Sequence, residues 1–146
     1  MAVPVTISGV EFDVENMKSC RIGPFPSSGG NYYGVFRQSA DQSVLSIQKA
    51  SDPTSSFSEV ATVDLTNTIG NWSVKQVGDA LHIAACTRGS RILYYGVFSM
   101  SSDTFTTALA NTGAALVGTD AELKCAITVR SDGDVIVVYN GATDTI

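Results

Sequence analysis

Three arginines stand at or just beyond predicted strand ends in this sequence: Arg37, Arg88 and Arg130. A guanidinium group presents a planar fork of N–H donors that matches a carboxylate, so converging arginines can bind an acidic sugar bidentately. If these strand ends meet in the fold, they form a site for an anionic ligand. Because arginines at turn edges are commonly solvated, we favour solvated side chains and keep the anion site as the functional alternative.

Aromatic residues offer a second kind of ligand contact. Tyr32, Tyr33 and Trp72 are candidates for stacking on a sugar, because a flat aromatic face packs well against apolar C–H groups. The same side chains also suit a hydrophobic core, and core packing is the interpretation that we favour. Together with the arginines, they make up the candidate ligand site.

The residues needed for catalysis or metal binding do not form a recognisable set. His82 is the one histidine, and no Gly-x-Ser-x-Gly motif accompanies it, so a serine triad is not predicted. The cysteines Cys20, Cys86 and Cys125 are odd in number and lack a CxxC spacing, and one histidine beside them does not suggest a zinc site. We therefore expect no catalytic residue, no metal and no cofactor. Buried, inert thiols are the favoured interpretation, and a disulfide between two cysteines or between subunits stays open.

Composition limits the class of protein. The chain has 146 residues, of which 44% are hydrophobic and 16% charged, with a net charge of -5, which argues against a nucleic-acid partner. No stretch approaches the roughly 20 apolar residues of a membrane span. The first residues lack the features of a secretory signal. We expect one soluble domain, or a domain with an arm.

Turn and strand signals predict an all-β fold without helix. Short apolar runs alternate with turns from residue 31 onward, and the Asp-Gly turn between Val129 and Val135 is a strong hairpin signal. The run from Gly23 to Gly30 is rich in glycine and proline, which predicts a loop or linker. We therefore divide the chain into an arm and linker over 1–30 and a repeat domain over 31–146. The arm is either the first strand of the domain or an extension that docks on a partner.

Turns recur at equivalent places along the chain. Gly30-Asn31, Gly78-Asp79 and Gly133-Asp134 each precede a strand, while Ser51-Asp52 and Ser102-Asp103 share another turn and the strand after it. The resulting unit has four antiparallel strands and a period of about 50 residues, which is typical of β-propeller blades.

Several motifs resemble the sialidase-like β-propeller superfamily, including its representatives in phage fibres and appendages. These motifs are the hairpin from Val129 to Gly141, the strand from Asp79 to Ala84 and the strand beginning at Arg91, and the turns at Asp52 and Asp103 resemble the Asp boxes of that superfamily. The resemblance implies propeller blades with an arginine-lined ligand site. The chain supplies about two and a half such units, whereas a closed propeller needs roughly four to eight.

Three explanations fit this incomplete propeller: a longer protein, units completed between subunits, or an open meander. An unpaired half-blade would expose strand edges, so we favour a larger assembly, with a homo-oligomer expected. We predict a non-enzymatic structural or attachment subunit of a virion, such as a tail fibre, spike or head-decoration protein. A cell-surface glycan is a further expected partner. The alternatives are a carbohydrate-binding module without activity and a fragment of a glycosidase.

Overall fold

A computed structural model describes residues 21–38, 40–119 and 123–140 of the chain. These residues form ten β-strands in antiparallel sheets and contain no helix, which confirms the predicted all-β class. None of the described segments is therefore a helix that could span a membrane.

The first sheet is a meander in which each strand pairs with the next along the chain. Its strands are β1 (Arg21–Pro26), β2 (Tyr32–Arg37), β3 (Val44–Ala50) and β4 (Ser58–Asp64).

Strand β1 lies within the segment that the sequence predicted to be an arm and linker. Phe25 is paired with Tyr33 of β2, so the glycine- and proline-rich run is in part a strand and not a linker. An edge strand tolerates proline, because its outer side needs no N–H donor. The ladder shifts register between Ile22 and Phe25, and Gly23 has a φ of 133° there. Residues 21–26 are thus a strand of the domain, whereas residues 1–20, on which the choice between the two alternatives for the arm depends, lie outside the described part.

The second sheet repeats the meander, with strand order β5-β6-β7-β8. Its strands are β5 (Ile69–Val77), β6 (Ala80–Thr87), β7 (Ile92–Ser99) and β8 (Thr104–Ala115). In strand β8, the small residues after Leu109 continue the strand to Ala115, with several register shifts against β7. Small side chains keep these exposed positions compatible with an irregular edge strand.

A third unit contains two described strands, which we call the hairpin: β9 (Cys125–Val129) and β10 (Val135–Tyr139). They pair in register from Cys125 opposite Tyr139 to Val129 opposite Val135. The predicted Asp-Gly turn therefore lies where the sequence placed it.

The predicted repeat is present in the strand order. Gly30, Gly78 and Gly133 all lie between the first and second strands of their units, and all three have positive φ values of 79°, 55° and 92°. Asp52 and Asp103 both lie between the third and fourth strands. The described residues thus confirm the four-stranded antiparallel units, and they form no closed ring.

The second sheet lies between the first sheet and the hairpin. Alternate residues of β6 make this visible: Leu81 and Ile83 pack in one core with the first sheet, whereas Ala84 and Cys86 pack in another core with the hairpin. The first core also takes Tyr33, Val35, Leu45, Ile47, Trp72 and Phe98. The three units are therefore stacked face to face in chain order.

The first strands of the second and third units, β5 and β9, run in the same direction. The amide of Cys125 donates to the Asn71 side chain at 3.0 Å, and the amide of Ile127 reaches Ser73 Oγ at 3.3 Å. Moving forward by two residues along β9 therefore corresponds to moving forward by two residues along β5. Neighbouring units of the stack are therefore arranged in a similar way. This arrangement determines where the candidate site residues lie.

Candidate functional site

The antiparallel order gives each unit two ends. Turns between first and second strands lie at one end, and turns between second and third strands lie at the other. Arg37 is the last residue of β2 and Arg88 follows β6, so both stand at the second end. Arg130 follows β9, the first strand of its unit, and stands at the opposite end. The three arginines therefore do not converge.

Two of the arginines nevertheless flank the start of β5. The Arg37 guanidinium donates to the carbonyl oxygen of Ile69 at 2.8 Å. Its central carbon lies 6.0 Å from the ring centroid of Trp72. The exposed Arg88 runs alongside Gly70, where a Cβ would lie 3.1 Å from Arg88 Cγ. Two of the three predicted arginines are thus neighbours. Arg37, one of the two, uses its guanidinium for a hydrogen bond between the first and second sheets.

Arg130 has different partners. Its guanidinium lies 2.9 Å from an Asp132 carboxylate oxygen and 3.6 Å from one of Asp134. All three side chains are well exposed, so these ion pairs stabilise the hairpin turn weakly. They also occupy the carboxylates of the acidic turn.

Most of the candidate aromatic residues are buried. Tyr33 is 1% exposed and Trp72 is 4% exposed, both between the first and second sheets, so their ring faces are not available to a sugar. The Trp72 Nε1 group is buried without a hydrogen-bond partner. Tyr32 is partly exposed and lies on the other face of the first sheet. The core interpretation of Tyr33 and Trp72 is the one that the burial supports.

Tyr33 belongs to an ion cluster that joins the two sheets. Its hydroxyl lies 2.7 Å from both the Met100 carbonyl oxygen and an Asp103 carboxylate oxygen. Lys49 Nζ lies 2.7 Å from the other oxygen of Asp103. Burial, with the hydrogen bond to Asp103, raises the pKa of Tyr33, while the ammonium of Lys49 lowers the pKa of Asp103. A tyrosine held protonated in this way is a poor nucleophile, so the cluster is suited to joining sheets.

His82 lies in the middle of β6. Its Nδ1 is 2.9 Å from the hydroxyl of Tyr95, and burial lowers the pKa of the imidazole. The ring therefore has a hydrogen-bond partner within its own sheet. Among the described residues, no group of three His, Cys, Asp or Glu side chains is arranged to hold a metal ion.

Sequence reasoning missed the contact between the second sheet and the hairpin. Asn71 lies at a register shift of β5, and its Oδ1 accepts from the backbone N–H of Cys125. The sulfur of Cys125 also lies 3.5 Å from this Oδ1, and the sulfur of Cys86 lies 3.4 Å from the Asn71 carbonyl oxygen. Asn71 and Cys125 are separated by about one repeat, and a period of about 50 residues is the signal that could have connected them.

The hairpin carries most of the exposed apolar side chains among the described residues. Val135, Ile136, Val138 and Tyr139 of β10 are 37%, 41%, 65% and 38% exposed, and Val77 is the further member of this class. Val137, between Ile136 and Val138, packs toward the second sheet. Ile136 and Val138 therefore point away from the stack.

The backbone hydrogen bonds relate this exposed face to the buried ones. Along a β-strand, the backbone N–H and C=O groups point alternately to the two neighbouring strands, while the side chains point alternately to the two faces of the sheet. The neighbouring strand toward which a residue's backbone groups point therefore fixes the face on which its side chain lies. In the second strand of each unit, one alternate set of side chains lies on the face on which a following unit would pack. The backbone N–H and C=O groups of these residues point toward the first strand of the same unit. These residues are Tyr33 and Val35 in β2, Ala84 and Cys86 in β6, and Ile136 and Val138 in β10.

The consequence is a surface that repeats an internal interface. In the first two units this face is covered by the next unit, whereas in the hairpin it is exposed among the described residues.

Comparisons with known protein families, curated proteins and solved structures give no match to this chain.

Proposed function

We propose that this chain is a non-enzymatic structural subunit that joins copies of itself head to tail, in an assembly of the virion type predicted from the sequence. The units are, in this proposal, propeller blades, and neighbouring copies complete the arrangement. The observation that carries it is the exposed outer face of β10, where Ile136 and Val138 occupy the positions that are buried in the first two units.

The occupant that we propose for this face is the first sheet of a second copy. In the chain itself, this face is covered by the second sheet in the first unit and by the hairpin in the second unit, so the occupant is in each case a further unit of the same kind, as the first sheet of a second copy would be. Its other face carries the partly exposed Tyr32 and Phe36 on β2 and the partly exposed Gln48 on β3. Full burial of an exposed Val or Ile side chain is worth about 1.5–3 kcal/mol, and Ile136 and Val138, which are 41% and 65% exposed, would contribute a corresponding part of that amount.

The interface would be heterologous, because the hairpin of one copy meets the first sheet of the next. Interfaces of this kind produce closed rings when the rotation closes and open filaments when it does not. A ring of stacked units is the geometry of a propeller, and it leaves no unit at the end of the stack. This consequence supports a subunit of an assembly over an isolated monomer.

Introduction of a charge at the exposed face tests the proposal. Val138→Lys places an ammonium group in the contact, and we expect it to convert the wild-type oligomer to a single chain in sedimentation velocity. Val77→Lys is the matched control, because Val77 is an exposed valine on another strand, and its oligomer should be unchanged. A wild-type chain that is monomeric would contradict the proposal and would favour completion by further strands of a longer protein. An oligomer that survives Val138→Lys would contradict it as well.

A glycan-binding role is the second candidate, and the neighbouring arginines Arg37 and Arg88 favour it. Arg88 is exposed and Arg37 is partly buried, so an acidic sugar could approach the pair from the second end of the stack. We expect Arg37→Ala combined with Arg88→Ala to weaken binding of sialylated glycans relative to neutral ones. Unchanged affinity in the double variant would remove this candidate, and turnover of a fluorogenic sialoside that the double variant loses would contradict the non-enzymatic assignment.

A further inference from the structure

Two thiols meet where the hairpin packs on the second sheet. Cys86 lies near the end of β6 and is fully buried, while Cys125 begins β9 and is 7% exposed. Both are free cysteines in one hydrophobic core. They are separated by two intervening strands, β7 and β8, so a bond between them would connect distant parts of the chain.

The sulfur atoms share one polar neighbour. Cys86 Sγ lies 3.4 Å and Cys125 Sγ lies 3.8 Å from the same carbonyl oxygen, that of Asn71. Cys125 Sγ also lies 3.6 Å from the carbonyl oxygen of Ala84, which stands two residues before Cys86 on β6. The two sulfurs are therefore neighbours across the interface.

The two thiols differ in acidity. The neighbouring Cys125 thiol lowers the pKa of Cys86, whereas the Cys86 side chain and burial raise the pKa of Cys125. A thiolate is the reactive form toward oxidants, and a neighbouring thiol can then resolve the oxidised sulfur. The division of roles favours Cys86 as the sulfur that reacts first.

We propose that Cys86 and Cys125 form a reversible disulfide when a small peroxide oxidises the protein, and that this bond locks the hairpin onto the second sheet. The Cys86 thiolate attacks one oxygen of hydrogen peroxide, the O–O bond breaks, and a sulfenic acid and hydroxide form; the hydroxide takes a proton to become water. The Cys125 sulfur then attacks the sulfenic sulfur, and the hydroxyl group leaves with the Cys125 proton as a second water. Two thiols and one peroxide thus give one disulfide and two waters.

A covalent lock would stabilise the unit that carries the exposed face of β10. The bond closes a loop that includes all of β7 and β8, and loops of this length limit the unfolded chain substantially. The lock itself does not depend on the proposed head-to-tail contact. It acts on the interface beneath the hairpin and leaves Ile136 and Val138 on the opposite face.

The test uses the full chain with Cys20→Ser, which removes the third thiol. After treatment of the folded protein with hydrogen peroxide, we expect intact-mass spectrometry to show the loss of two hydrogens and peptide mapping to link Cys86 with Cys125. The melting temperature should rise by about 10 °C and return after treatment with dithiothreitol.

The further variants Cys86→Ala and Cys125→Ala serve as controls, and neither should gain stability on oxidation. Cysteines that remain reduced in the folded chain, or that gain oxygen without forming the linked peptide, would overturn the proposal. A linked peptide without a rise in melting temperature would overturn the lock.

Discussion

Removal of the Asn71 side chain should loosen the hairpin from the second sheet. Asn71 Oδ1 accepts the backbone N–H of Cys125 at 3.0 Å, and this N–H lies in a buried residue at the start of β9. In Asn71→Ala, that donor loses its acceptor at an interface from which water is largely excluded.

The expected magnitude follows from the cost of an unsatisfied buried donor. A buried N–H left without a partner destabilises a protein by about 1–3 kcal/mol. For a chain of this size, a loss of about 2 kcal/mol lowers the melting temperature by about 4–8 °C. The amide of Cys125 should also exchange with solvent faster, because it reports directly on the lost hydrogen bond.

Differential scanning calorimetry and hydrogen exchange measure these two effects. Asn111→Ala is the matched control, since the Asn111 side chain is exposed and accepts only a local N–H, that of Gly113 at 2.7 Å. Its effect should be smaller, and hairpin exchange should stay at the wild-type rate. Equal melting temperatures of Asn71→Ala and wild type, with unchanged exchange at Cys125, would refute the role of Asn71 in holding the hairpin.

Further predictions concern the first and second sheets. Because the ammonium of Lys49 lowers the pKa of Asp103, the folded state gains stability from the ionised carboxylate above its ordinary pKa and loses it as the pH falls. The partly exposed pair contributes about 1 kcal/mol or less, so the stability advantage of wild type over Asp103→Asn in urea titrations should shrink from pH 7 to pH 3; an equal difference at both pH values would contradict this. Gly96→Ala places a Cβ 2.6 Å from the backbone of β8 and should cost about 3 kcal/mol in urea unfolding, whereas Gly29→Ala, 3.8 Å from its nearest neighbour, should be neutral; comparable effects would refute the steric argument. If residues 1–20 are a docking arm and not a strand of the domain, their deletion should leave the thermal transition in place and abolish oligomerisation; a chain that unfolds, or that assembles normally, would contradict that role.

Local signals were enough to predict most of the strands. The turns at Gly78 and Gly133 carry both the positive φ that glycine accommodates and the flanking apolar runs, so their hairpins could be found from residue types alone. Strand β1 was missed because its prolines and glycines dominate local preference. Its stability comes from pairing with β2 and from the packing of Phe25 in the first core, and both depend on distant residues.

The candidate site was predicted less well, because side-chain direction depends on stacking. Arg37 ends β2 and Arg88 directly follows β6, so both lie where the second strand of a unit ends. Arg130 follows a first strand instead. Because neighbouring strands are antiparallel, the ends of first strands and the ends of second strands lie at opposite ends of a sheet. The contact of Asn71 with the hairpin depends on the alignment of β5 with β9, which no local pattern specifies.

Complementation between two variants tests the head-to-tail contact most directly. Val138→Lys disrupts the hairpin face and leaves the first sheet intact, whereas Tyr32→Asp disrupts the first sheet and leaves the hairpin face intact. Each variant alone should be a single chain in native mass spectrometry. Their mixture should contain dimers with one chain of each kind, because each variant retains one functional half of the interface. A mixture that contains single chains alone, or larger oligomers formed by either variant by itself, would contradict the account.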